Sequence, residues 1–142
     1  MLRVVPFQPD HLAQLAAQAS QPELDGDRQA MAAQLSITGR CFTILNDADV
    51  LLCGGATASH ADYVTVWAAI ADHAGPWMLG IERRARRFLA MLTERRVDAL
   101  VRADFAAGRR WASRLGFIEE ACLSAYFGDG TAAVIYRYRG EY

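Results

Sequence analysis

The sequence predicts an α/β (α+β) fold, a mixed and largely antiparallel sheet flanked by helices. Three observations predict it. The apolar residues switch from helical spacing to β-type runs near Cys41, a strongly amphipathic helix follows the third of those runs, and two further β-rich runs close the chain. The resulting order is βααβββαβαββ over residues 1–142, read as a single domain.

Each element has a local reason. Residues 2–5, Leu-Arg-Val-Val, alternate as a short strand does, and Pro9-Asp10 offers a cap for a helix in which Leu12, Leu15, Ala16 and Ala19 recur at helical spacing. Gln21-Pro22 breaks that helix. Asp25-Gly26-Asp27 can cap a second, whose Ala30, Met31 and Leu35 share a face. Residues 41–45 and 50–53 then read as a β-hairpin around the polar turn Asn46-Asp47-Ala48-Asp49, and Gly54-Gly55 suggests a bulge or a close backbone approach. Residues 63–67, Tyr-Val-Thr-Val-Trp, form the third β-rich run.

The clearest helix begins near Ile81, where Ile81, Ala85, Phe88, Leu89 and Leu92 make one apolar stripe and Arg83, Arg84, Arg86 and Arg87 point elsewhere. A short strand at residues 99–101 and a helix over about 104–114 follow. Gly116 breaks the chain, since a helix end running straight into a strand favours a residue that tolerates positive φ. The last two runs, near 117–126 and 132–138, are joined by Gly128-Asp129-Gly130.

Composition narrows the function classes. With 53% apolar and 22% charged residues, 142 positions suffice for one packed core. No apolar run reaches the roughly 18 to 20 residues of a membrane span, and the opening residues lack the plan of a signal peptide, so a soluble cytoplasmic product is expected. Cys41, Cys53 and Cys122 are scattered among apolar neighbours and read as buried thiols, with neither disulfide nor metal site expected. All 15 basic residues are arginine. Residues 81–114 hold ten of them against four acids, whereas the flanking parts are net acidic, so the middle of the chain carries a field able to position an anion or an acidic partner.

The element order resembles the GCN5-related N-acetyltransferase (GNAT) fold. Arg3-Val4-Val5-Pro6-Phe7-Gln8-Pro9-Asp10 looks like that family's opening strand, and Asp104, Ala107, Trp111, Gly116 and Phe117 sit where the family commonly has Asn, Ala, Tyr, Gly and Phe. A closer likeness, over residues 60–138, is to the small GNAT-like internal virion protein A family of short-tailed phages. It shares a tryptophan ahead of a basic helix, the Phe88-Leu89 pair and a closing hairpin with an Asp-Gly turn.

The GNAT resemblance implies two requirements for catalysis, and the sequence departs from both. Acetyl-CoA needs a glycine-rich turn whose backbone N–H groups meet the diphosphate at a helix N-terminus. Residues 71–82, Ala-Asp-His-Ala-Gly-Pro-Trp-Met-Leu-Gly-Ile-Glu, space their glycines five apart; Pro76 removes a donor, and Glu82 near the expected helix start would repel a phosphate. Arg83, Arg84 and Arg87 are the candidate cofactor- or anion-binding residues, able to compensate in part because guanidinium groups bind phosphate well. The departing thiolate also needs an acid, and Trp111 at the tyrosine position has only a very weakly acidic indole N–H. Asp104 places a carboxylate where the family has a neutral amide. His60, Asp62 and His73 are available as bases, with nothing but sequence neighbourhood to join them. Trp67, Trp77 and Trp111 otherwise read as core or interface residues, and the three histidines as surface or satisfied core residues.

The leading expectation is therefore a phage-type GNAT-fold protein without a functional acetyl-CoA site. It would act in virion assembly or as a virion structural component, in the host cytoplasm and then the particle, through other virion proteins or copies of itself. No catalytic residue, cofactor or metal is expected on this reading. The alternative is an active N-acetyltransferase using acetyl-CoA, with arginines replacing the glycine-rich loop. Nucleic-acid binding through residues 83–110 ranks third, because the pI near 6.3 and the lack of a reader motif oppose it.

Overall fold

The computed structural model describes residues 1–15 and 39–140. Its elements are β1 (Leu2–Pro6), α1 (Pro9–Gln14), β2 (Gly39–Asn46), β3 (Asp49–His60), β4 (Tyr63–Ile70), α2 (Met78–Ala90), β5 (Arg96–Arg102), α3 (Ala106–Arg114), β6 (Phe117–Leu123) and β7 (Ala133–Tyr138). The expected second helix, with Ala30, Met31 and Leu35, lies outside the described residues, as do Ala16 and Ala19. Every other expected element is present in the expected order.

One seven-stranded sheet runs β1-β2-β3-β4-β5-β7-β6, antiparallel at each junction except β4–β5, which is parallel. The parallel step is forced by connectivity, since α2 carries the chain from the end of β4 back to the start of β5. Two apolar clusters cover the sheet. Leu12, Ile44, Leu51, Leu52 and Ile81 centre one, and Val64, Leu89, Val97, Leu115 and Tyr136 the other. A fully buried aliphatic side chain of this kind contributes about 1.5–3 kcal/mol, so both clusters are needed to hold the helices down.

Several local expectations change. Gln8, not Asp10, caps α1: its N–H donates to His11 Nδ1 at 3.1 Å, and Pro9 takes the first helical position, where a missing N–H is harmless. The hairpin turn is the two-residue Asp47-Ala48, with Asn46 paired to Asp49 and Asp47 at φ 53°. Gly54-Gly55 is a close approach and not a bulge, because a Cβ on Gly55 would stand 2.2 Å from the Arg40 carbonyl oxygen. The irregularities fall instead at Ile44/Leu45, Ala58/His60 and Glu119/Ala121. Among the thiols Cys53 is buried, but Cys41 is only partly so and Cys122 is exposed on β6, whose outer residues form the edge of the sheet. None is disulfide-bonded.

Candidate functional site

The parallel β4–β5 ladder pairs Tyr63 with Arg96 and ends with Val66 opposite Ala99. Beyond that point β4 continues along β3 to Leu52↔Ile70, while β5 continues along β7 to Arg102↔Ala133. The two strands are thus held from their outer sides and part company in between. This wedge, roofed by α2 and α3, opens into a cavity of about 560 Å³ lined by Val66, Ala68, Phe88, Leu100, Phe105 and Trp111 among others. Asp72 and Arg102 are the charged residues among its described walls.

The chain from β4 to α2 borders the wedge, and the N–H groups of residues 74, 77 and 78 are committed to local turns. Ala74 N–H donates to Ala71 O at 3.2 Å, Trp77 N–H to Ala74 O at 2.9 Å, and Met78 N–H to Gly75 O, while Pro76 has none to give. Acids gather there too. His73 sits between Asp49 at 2.7 Å and Asp72 at 3.1 Å, and these carboxylates, Asp49 foremost, raise its pKa above the ordinary 6.5. A diphosphate there would meet two carboxylates and a connection whose N–H groups at 74, 77 and 78 are already used.

Glu82 plays a different part from the one its sequence position suggests. The helix starts at Met78, earlier than expected, so Glu82 falls in its second turn, 8% exposed, between Arg86 at 3.6 Å and Arg114 at 3.0 Å. Arg86 also donates to the Arg114 carbonyl. The carboxylate is a clasp between α2 and α3, neutralised by two guanidinium groups, and not a charge left facing a ligand.

The three candidate anion-binding arginines do not converge on the wedge. Arg83 is exposed, and Arg84 and Arg87 line a separate groove on the β1–β2 side of α2. Arg84 donates to Gly80 O at 3.0 Å and Leu2 O at 3.2 Å. The candidate bases are dispersed as well. His73 is tied to the first residue of β3, whereas His60 ends that twelve-residue strand, roughly 36 Å away at 3.3 Å per residue, with Asp62 in the turn beyond it.

Of the degenerate motif positions, Trp111 does reach the cavity, and its Nε1 is buried without a hydrogen-bond partner among the described residues. Phe117 is buried and also lines it, while Gly116 takes φ +104° between α3 and β6. Asp104 precedes α3 and accepts from Arg102 Nε at 3.2 Å, so its charge is already paired.

Two arrangements escaped the sequence reading. Arg102 is 5% exposed and donates to Asp129 at 2.5 Å and Thr131 at 2.9 Å, beneath the Phe127 ring at 4.8 Å, fastening the β6–β7 loop beside the cavity. The Thr131 backbone N–H and then Arg102 hold the Asp129 carboxyl down at about 2. Asp98, buried, accepts from Tyr63 Oη at 2.6 Å and Thr65 Oγ1 at 2.8 Å, stitching β4 to β5 just before they diverge. Asp98 lies one residue before the strand expected at 99–101, and neither its burial nor its partners were readable from spacing.

No protein-family profile matches the sequence, and no curated protein matches it. Solved structures do. A candidate GNAT-family acetyltransferase from Desulfovibrio desulfuricans is 20% identical with a TM-score of 0.73, over 96% of this chain and 98% of that one. The ribosomal-protein-S18-alanine N-acetyltransferase of Escherichia coli is 17% identical with a TM-score of 0.73, over 97% and 93%. A candidate acetyltransferase of Salmonella typhimurium, solved with its cofactor acetyl-CoA, is 13% identical with a TM-score of 0.68, over 99% and 94%. At these identities the likeness shows the fold, which is that of the GNAT proteins.

Proposed function

We propose that this chain is a phage-type GNAT-fold protein whose coenzyme grip has been dismantled, and that it acts through protein contacts in virion assembly or as a virion component. The observation that carries the reading is the connection from β4 to α2. Its N–H groups at 74, 77 and 78 are spent on internal turns, Pro76 has none, and Asp49 and Asp72 stand beside it. The residues present therefore do not fit a diphosphate. Trp111 in place of a tyrosine supports the same reading, since its N–H is not a useful acid. The likeness over residues 60–138 supplies the phage assignment. The partners are then other virion proteins or further copies of the chain, met in the host cytoplasm during assembly. Isothermal titration with acetyl-CoA should give no heat of binding at micromolar concentrations, and mass spectrometry of purified particles should find the chain. Micromolar binding accompanied by an acetylated product would overturn the reading.

The preserved wedge favours a second reading, an N-acetyltransferase. Its apolar walls and volume of about 560 Å³ suit an uncharged arm between β4 and β5. On that reading acetyl-CoA at a hundredfold above Kd stabilises the protein by about 2.7 kcal/mol, a shift that a thermal melt detects.

A further inference from the structure

A second concavity lies on the opposite flank of α2, where the helix overhangs the edge of the sheet formed by β1 and β2. Its volume is about 650 Å³, and its walls divide by chemistry. Val4, Phe42, Phe88 and Met91 supply an apolar surface, with Val4 52% and Met91 75% exposed, while Arg84 and Arg87 stand over it from the helix and Arg40 from β2. The charges are unequal in their commitments. Arg40 is paired with Glu94 at 2.6 Å, and Arg84 is oriented by main-chain oxygens of Gly80 and Leu2, which leaves further donors of its guanidinium open. Arg87 is exposed and makes no ion pair among the described residues.

We propose that this groove binds an acidic, extended segment of a partner polypeptide, its carboxylates on Arg84 and Arg87 and one apolar side chain against Phe42 and Phe88. The inference rests on the protein-contact reading and names the chemistry of the contact. Charge complementarity selects the acid, because a cationic rim with one local carboxylate favours a negative partner over a neutral one. The apolar floor selects a side-chain anchor, which binds by burial where a bare anion would not. The place selects an extended chain: β1 is the edge strand of the sheet among the described residues, and the groove runs beside it. A polynucleotide fits less well. Strong backbone binding needs many phosphates met at once, and in this groove, among the described residues, two arginines are without a carboxylate partner.

Fluorescence anisotropy with a labelled heptapeptide, Glu-Leu-Asp-Phe-Asp-Leu-Glu, tests the proposal beside its Gln/Asn analogue, its Lys analogue and a labelled oligothymidylate. The acidic peptide should bind at least about tenfold more tightly than the neutral one and weaken with salt. Arg87→Glu should weaken it at least about fivefold and improve binding of the Lys analogue, whereas Arg83→Glu, the same charge change on the same helix but outside the groove, should stay within about twofold. Equal effects of the two variants, equal binding of acidic and neutral peptides, no binding up to millimolar peptide, or tighter binding of the oligonucleotide each overturn it. Titrating acetyl-CoA into the same samples separates the two failures. Silence from both ligands removes the groove alone, and coenzyme turnover removes the protein-contact reading on which it rests.

Discussion

Phe42 on β2 and Phe88 on α2 meet with ring centroids 4.9 Å apart at an interplanar angle of 49°, and this pair is a shared wall of the wedge and of the groove beside β1. Phe88→Ala should merge the two spaces and destabilise the fold by about 2–4 kcal/mol, a little under the value for a fully buried ring. Denaturant unfolding measures it, and a loss under about 1 kcal/mol would mean that the ring does not separate the cavities.

Two glycines, one in β3 and one in the turn ahead of α2, offer a contrast. A Cβ at Gly55 would lie 2.2 Å from the Arg40 carbonyl oxygen, whereas one at Gly75 meets nothing within 4 Å. Gly55→Ala must push β2 away from β3 and should cost about 1–3 kcal/mol or more. Gly75→Ala, which only narrows the unfolded ensemble, should be neutral or stabilise by about 0.4–1 kcal/mol. Equal melting temperatures for the two variants would contradict the close β2–β3 approach at Gly55.

Much of this architecture was legible because it is local. The stripe of Ile81, Ala85, Phe88 and Leu89, the break at Gly116 and the hairpin at Asp47 each follow from residues within a few positions of one another. The contacts that shape the wedge are not local. Arg102 and Asp129 are 27 positions apart, and Asp98 and Tyr63 are 35 apart, so neither pairing leaves a periodic trace. Glu82 was misread for a related reason. Its charge looked open because Arg114, one of the groups that neutralise it, comes from another helix. The groove that Arg84 and Arg87 line was not readable either, because a stripe gives the buried face of a helix but not which of two cavities its flanks adjoin.

The β6–β7 loop should loosen in acid. Asp129 is held near 2 against an ordinary 3.8, so its contribution is complete above about pH 4 and is lost as pH falls through about 2. Asp129→Asn removes that dependence. The difference in melting temperature between the two proteins should therefore be largest near neutrality and shrink steadily below pH 4. A difference unchanged from pH 7 to pH 2 would show that Asp129 acts there without its charge.

His73 predicts the opposite slope. Its raised pKa means that the Asp49 and Asp72 contacts stabilise most below about 6.5 and fade as pH rises through the shifted value. His73→Gln should lower the melting temperature at pH 5.5 and leave it nearly unchanged at pH 9, with high salt blunting the acid-side effect because these groups are solvated. An equal loss at both pH values would assign His73 a packing role.

Trp111 separates the two functional readings by its own chemistry. Its ring packs in the wedge, but its buried Nε1 has no acceptor among the described residues, and an unmade hydrogen bond of this kind is a cost to the native state. Trp111→Phe keeps most of the ring while removing the orphaned donor, so it should change stability by less than about 1 kcal/mol in either direction. Trp111→Ala leaves a void and should cost about 3–5 kcal/mol. Trp111→Tyr restores the hydroxyl that the resemblance implies for a transferase, yet it restores neither the N–H groups committed at residues 74–78 nor the one absent at Pro76. It should therefore produce no acetyl transfer from acetyl-CoA to amine acceptors. Detectable turnover in that single variant would mean that the coenzyme still binds, and that the missing acid alone had silenced the site.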